Sequence, residues 1–145
     1  MITEEESNKK VSEGWIRSWA VFEALGISED ATKKALEVLT KKLESDDRVR
    51  MYKKCYGETS KVEKPIKGID VGYSITCEVS LVSKNFDNLS QIAIEYGPSA
   101  VEIIEPNSVT LKIGEAQCVL NSISNMMHRL AASGAGGIVF MKGDQ

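Results

Sequence analysis

Tyr73-Ser-Ile-Thr-Cys-Glu-Val-Ser-Leu-Val82 alternates from side to side more cleanly than any other part of the chain. Tyr73, Ile75, Cys77, Val79 and Leu81 fall on one face, and Ser74, Thr76, Glu78 and Ser80 on the other. That period of two is the mark of a strand with one buried and one wetter side. A helix follows. Ser83 or Asn85 can cap it, and Phe86, Leu89, Ile92, Ala93 and Tyr96 recur at helical spacing. Gly97-Pro98 ends it, a C-cap glycine followed by a residue that cannot continue a helix. Ala100-Val-Glu-Ile-Ile-Glu105 then reads as a short strand stopped by Pro106.

The same order of elements precedes this stretch. Trp15 to Leu25 is rich in aromatic and β-branched residues and is bracketed by Gly14 and Gly26. It reads as a strand, with a helix as the competing reading. Ile16, Ala20, Phe22 and Ala24 would share one side, and Trp15, Arg17, Trp19, Val21, Glu23 and Leu25 the other. Ser28 is an N-cap candidate, with Glu29 and Asp30 suited to the positive end of the helix dipole. Ala31, Ala35, Leu36, Leu39 and Leu43 supply the apolar stripe, and the helix should stop near Ser45-Asp46-Asp47. Val49 to Tyr56 reads as a second strand, with Val49, Met51 and Cys55 on one face and Tyr52, Lys54 and Tyr56 on the other. The polar run from Gly57 to Gly72 reads as a long hairpin connection or as frayed strand ends around a mobile tip.

The order is therefore β-α-β, connection, β-α-β. It resembles the ferredoxin-like α/β plait over about residues 14–106. The expectation is an α+β fold: a ferredoxin-like βαββαβ sandwich with an antiparallel four-stranded sheet, two helices on one face and a long C-terminal helix. Residues 1–12 read as a frayed tail, 113–133 as the C-terminal helix and 134–145 as a further tail, all in one domain. Ala116, Leu120, Ile123, Met127 and Leu130 line one side of the C-terminal helix, which is the candidate to cover the open sheet face. The run Glu95-Tyr-Gly-Pro-Ser-Ala-Val-Glu-Ile-Ile-Glu-Pro106, with Gly114-Glu-Ala-Gln117, is also similar to small uncharacterised proteins of archaeal type. That resemblance implies no activity, and the plait fold hosts many unrelated ones.

The totals narrow the classes. The chain has 145 residues, 42% hydrophobic and 27% charged, with a formal net charge of -3. An acidic balance disfavours nucleic acid as a partner, because phosphate binding needs a basic footprint. There is no apolar run long enough for a membrane span. The first ten residues lack the apolar core of a secretory signal, so the expected location is cytoplasmic. Cys55, Cys77 and Cys118 are odd in number and widely spaced, which points to reduced thiols.

No stretch carries a catalytic signature. His128 is the only histidine and shares a helical stripe with Gln117, Asn121 and Asn125. Such a stripe could bind a small ligand or could simply face solvent. The ligand-binding candidates are Asn121, Asn125, His128 and Arg129, with Glu78 on the open sheet face, where it could pair with Glu102. Trp15 and Trp19 are the interface candidates. Cys55, Cys77, Cys118 and His128 show no paired ligand spacing, so no metal and no cofactor is assigned. Gly134-Ala-Gly-Gly137 follows a helix rather than a strand, the reverse of a phosphate loop. Tyr52, Lys54 and Tyr56 beside Trp15 and Trp19 would make an aromatic and basic face of the RNA-binding kind, though the closely alternating Phe/Tyr and Gly pattern is missing.

The leading expectation is a non-enzymatic module that self-associates as a dimer or higher homo-oligomer and takes a small molecule between subunits or between helix and sheet. The alternatives are a small enzyme or ligand-binding protein using the polar side of the C-terminal helix, and an RNA-binding plait domain.

Overall fold

A computed structural model describes residues 1–133. The chain runs α1 (Glu4–Ser12), β1 (Ile16–Gly26), α2 (Glu29–Glu44), β2 (Val49–Tyr56), β3 (Ser60–Ile66), β4 (Ile69–Ser83), α3 (Phe86–Tyr96), β5 (Ala100–Glu105) and α4 (Ile113–Ala132). The sheet has five strands rather than four. Its main order is β2-β4-β1-β5, every neighbouring pair antiparallel, with β3 also on β4.

The alternation in β4 is realised as written. Ile75, Cys77, Val79 and Leu81 are buried against α2 and α3, together with Ile16, Ala20 and Phe22 of β1. Leu36 and Leu43 of α2 and Leu89, Ile92 and Tyr96 of α3 complete that core. Both helices therefore lie on one face of the sheet. Asn85 caps α3 by accepting from the Asn88 amide at 2.8 Å, and Gly97 closes it with φ of 57°, which disfavours side chains with a Cβ. Ser28 caps α2 in the same way, accepting from the Ala31 amide.

Several expectations are corrected. The connection from 57 to 72 is a structured hairpin arm. β3 pairs with the first part of β4 from Ser60↔Ser74 to Ile66↔Ile69, and Gly68 with φ of 88° turns the tip. β2 and β3 thus run in succession along the same side of β4. Residues 4–12 are helical rather than frayed, because Thr3 and Glu6 form a capping box: the Glu6 amide donates to Thr3 Oγ1 and the Thr3 amide to Glu6 Oε2. On α2 the buried side runs through Thr32, Leu36, Thr40 and Leu43, while Ala31 and Ala35 are exposed. The threonines are tolerated inside because each hydroxyl is bonded: Thr32 donates to the Ser28 carbonyl at 2.6 Å, and Thr40 pairs with the Tyr56 hydroxyl at 2.7 Å.

That Tyr56 contact exposes another correction. The β2–β4 register shifts between Met51 and Lys53, a bulge that adds one residue to β2. Beyond it the faces exchange. Tyr56 and Lys54 turn toward α2, where Lys54 pairs with Glu44, and Cys55 turns outward and is exposed.

The C-terminal helix does not cover the open sheet face. Its neighbour is α3, and none of its described residues is buried. On α3, Leu89, Ile92 and Tyr96 point into the core, whereas Asp87, Gln91, Ile94 and Glu95 lie on the far side and meet α4. α4 is therefore a third layer stacked on the back of α3. The open sheet face is covered in part by α1 instead. Ser7 is fully buried there, Val82 is the outward-facing β4 residue sealed beneath, and the Ile2 amide donates to the Met51 carbonyl. Residues 134–145, with the glycine run and Ile138-Val-Phe140, lie outside the described residues.

Candidate functional site

The stacking of α4 on α3 opens a cleft of about 610 Å³ between the two helices. α3 contributes Gln91, Ile94 and Glu95, and α4 contributes Ser122, Asn125, His128 and Arg129. The α4 set falls at spacings of three, three and one, one flank of a helix with 3.6 residues per turn. Asn125, His128 and Arg129 are thereby brought together. Asn121 is exposed and outside the cleft lining. Glu78 lies elsewhere, on the open sheet face.

The wall on the α3 side is held by Arg48, just ahead of β2. Its Nη2 donates to Asp46 Oδ2 and to Glu95 Oε2, each at 2.7 Å. Nη1 donates to Glu95 Oε1 at 3.0 Å and to Gln91 Oε1 at 3.1 Å, and Nε donates to Asp46 Oδ1 at 2.9 Å. The Tyr96 hydroxyl donates to Asp46 Oδ2 at 2.9 Å. Planar guanidinium geometry allows these forked contacts, which join the α2–β2 turn to α3. Hydrogen bonds from Arg48 hold the Asp46 carboxyl well below the usual range and also lower Glu95. Burial, then the bond to Asp46, pushes the Tyr96 phenol up to about 12. Sequence reading missed this clamp. Asp46-x-Arg48 was a local clue, but its contact with Glu95 spans 47 positions and needs the fold to form.

The open face offers a different set. Arg17 is fully engaged: it donates to Ser7 Oγ, Asn8 Oδ1 and Glu105 Oε2, and stacks 5.1 Å from the Tyr52 ring centroid. With Trp19, Ser80, Glu102 and Ile104 it lines a shallow hollow of about 380 Å³. Trp15 lines a separate hollow with Pro106 and lies under Lys10. Both Trp residues are half-buried. Glu78 and Glu102 share the open face but sit opposite Val21 and Trp19 on either side of β1. Two strand spacings put them about 10 Å apart, too far for an acid–base pair in contact. The RNA-type face is dismantled by the bulge, since Lys54 and Tyr56 point to α2 and only Tyr52 stays with Trp19. Cys77 is buried, with its thiol pushed up by burial, while Cys55 and Cys118 are exposed. No cluster of three or more His, Cys, Asp or Glu suited to a metal occurs among the described residues. No described helix is long and apolar enough to cross a membrane.

Fold and clefts together define a small α+β protein with an antiparallel five-stranded sheet and a helical third layer. Its sequence matches the model of the MJ0538 family over residues 17–140, and the chain belongs to that family, an uncharacterised one of archaeal type. No curated protein and no solved structure matches it.

Proposed function

We propose that the protein is a self-associating module of ferredoxin-like architecture, with the β3 arm as an insertion, and that a second copy covers β5 and the apolar flank of α4. One observation carries the reading: much of the apolar stripe of α4 has no partner among the described residues of its own chain. Ile113 is 83% exposed, Leu120 66%, Ile123 46% and Met127 45%. The stripe does not face α3, which is met by Glu115, Val119, Ser122 and Met126, the less exposed positions of α4. It lies on the flank opposite Asn125 and His128. That is the β5 side of α3, where Phe86 borders Ile103 and Val109. On β5, Val101 and Ile103 face the helix layer opposite Ala20 and Ser18, yet remain 42% and 39% exposed.

β5 is also an edge strand, with its outer row of backbone groups unpaired among the described residues. A two-fold partner meeting this edge brings the two α4 flanks together above the joined strands. The stripe suits such symmetry: in an antiparallel pair Ile113 meets Leu130, Ala116 meets Met127 and Leu120 meets Ile123. The exposed apolar residues of β5, the following loop and α4 offer on the order of 700 Å² per copy, close to the ~800 Å² per partner of a standard interface. Sedimentation equilibrium tests the proposal. A dimer is expected at tens of micromolar, and a strict monomer across that range would overturn it.

A further inference from the structure

We propose that the cleft between α3 and α4 is a binding site for a small oxyanion, a carboxylate or phosphate group, separate from the association surface. The two walls of the cleft differ in how their polar side chains are engaged. On the α3 wall each Glu95 oxygen and Gln91 Oε1 accepts once from Arg48, and Gln91 Nε2 donates to Asp87 Oδ1 at 3.2 Å, so these groups are held in place. The α4 wall has no such ties. Ser122, Asn125 and His128 have no side-chain hydrogen-bond partner among the described residues, and Arg129 has only a 4.0 Å contact with the Met126 sulfur. The α4 wall thus presents hydroxyl, amide, imidazole and guanidinium donors, exposed at Asn125, His128 and Arg129, to which an acceptor-rich ligand can bind in place of water.

Arg48 bridges Asp46 and Glu95. Arg129 is the cation that lines the cleft from α4, and since the Glu95 carboxylate forks to Arg48 rather than to Arg129, its bidentate geometry is available for a carboxylate or phosphate. The volume, about 610 Å³, falls within the ~300–1,000 Å³ usual for small-molecule sites. The Arg48 clamp fixes the α3 wall before any ligand arrives, so only the α4 side chains have to order.

His128, the sole histidine, supplies the readout, because its imidazole C–H signals are unique in a proton NMR spectrum. The full chain is titrated separately with inorganic phosphate and with succinate, at constant pH and constant ionic strength set by sodium chloride. The expected result is saturable movement of the His128 signals with at least one of the two anions. Affinity should fall tenfold or more in Arg129→Gln and severalfold in Asn125→Leu. Saturation by phosphate alone or succinate alone sorts the two ligand classes. Linear, non-saturating shifts that sodium chloride reproduces, or saturation unchanged in Arg129→Gln, would overturn the proposal. Circular dichroism of each variant verifies that its fold is retained. Repeating the titration on Leu120→Glu separates this site from self-association, since that substitution lies on the other flank of α4 and should leave anion binding unchanged.

Discussion

β2 and β5 each bring branched or flexible apolar side chains to the helix side of the sheet, yet they end in opposite surroundings. Val49 and Met51 of β2 are sealed, while every residue of β5 is exposed. The reason lies above them. α2 has 16 residues and packs on β1, β4 and β2, bringing Leu36, Thr40 and Leu43 down onto its part of the sheet. α3 has 11, and its core side is used up by Leu89, Ile92 and Tyr96, leaving only Phe86 at its start to border β5. α4 then stacks behind α3 instead of beside it. One end of the sheet is closed by its own chain and the other is left open among the described residues. Apolar sequence alone therefore does not identify core; a covering element must also be within reach.

The largest effect expected on the open end is on association. Leu120→Glu with Ile123→Glu should weaken self-association at least a hundredfold, measured by sedimentation, because two carboxylates would be buried against apolar surface. Monomer stability in dilute urea titrations should barely move. A double variant that still dimerises as tightly as the parent would remove α4 from the interface.

Next comes the contrast in stability. Leu43→Ala, at the closed end, should cost about 2–5 kcal/mol in urea unfolding. Ile103→Ala, measured at concentrations where the chain is monomeric, should cost no more than about 1 kcal/mol because the site is already half open. Similar losses at the two sites would mean that β5 is packed as tightly as the closed end.

The clamp between the two halves gives a pH signature. Asp46 is held below its ordinary range, so its contribution is present above the ordinary carboxylate value. It is lost as pH falls from about 4 downward through the folded value. Asp46→Asn should cost about 1.5–3 kcal/mol near neutrality, the range for hydrogen bonds to charged groups, and should flatten the acid limb of the stability curve. Tyr96 shifts the other way, so its contribution is present below pH 10 and is lost as pH rises toward 12. Tyr96→Phe should lose that alkaline dependence. An acid limb unchanged in Asp46→Asn would show that the clamp does not join the halves energetically.

The smallest effect is expected at the seam. Ser18, on β1 opposite Ile103, is buried with its hydroxyl unpaired. Ser18→Ala should be neutral or stabilising by up to about 1 kcal/mol, read from the thermal midpoint. A clear loss would mean the hydroxyl has a partner after all.

Much of this was legible beforehand. β1, β4, α3 and β5 follow from alternation and cap residues, since those signals sit within a few positions of each other. The bulge in β2 was not legible, because one extra residue costs the local pattern nothing and is chosen by register against β4. The capping box of Thr3 and Glu6 was readable in principle, as Thr followed three residues later by Glu, but the charged run around it suggested fraying. At the cleft, the polar stripe of α4 carried Asn125, His128 and Arg129, while Arg48 and Glu95 met only through folding.

By itself, then, the sequence determined the period of each element, its stops and its apolar and polar sides, because those depend on backbone geometry over one or two turns. Only the tertiary structure decided which apolar sides are covered, that α4 turns its polar flank to Gln91 and Glu95, and that its Leu120–Met127 flank is left open among the described residues. Those outcomes depend on helix lengths and on side chains far apart in the chain competing for the same few ångströms of surface.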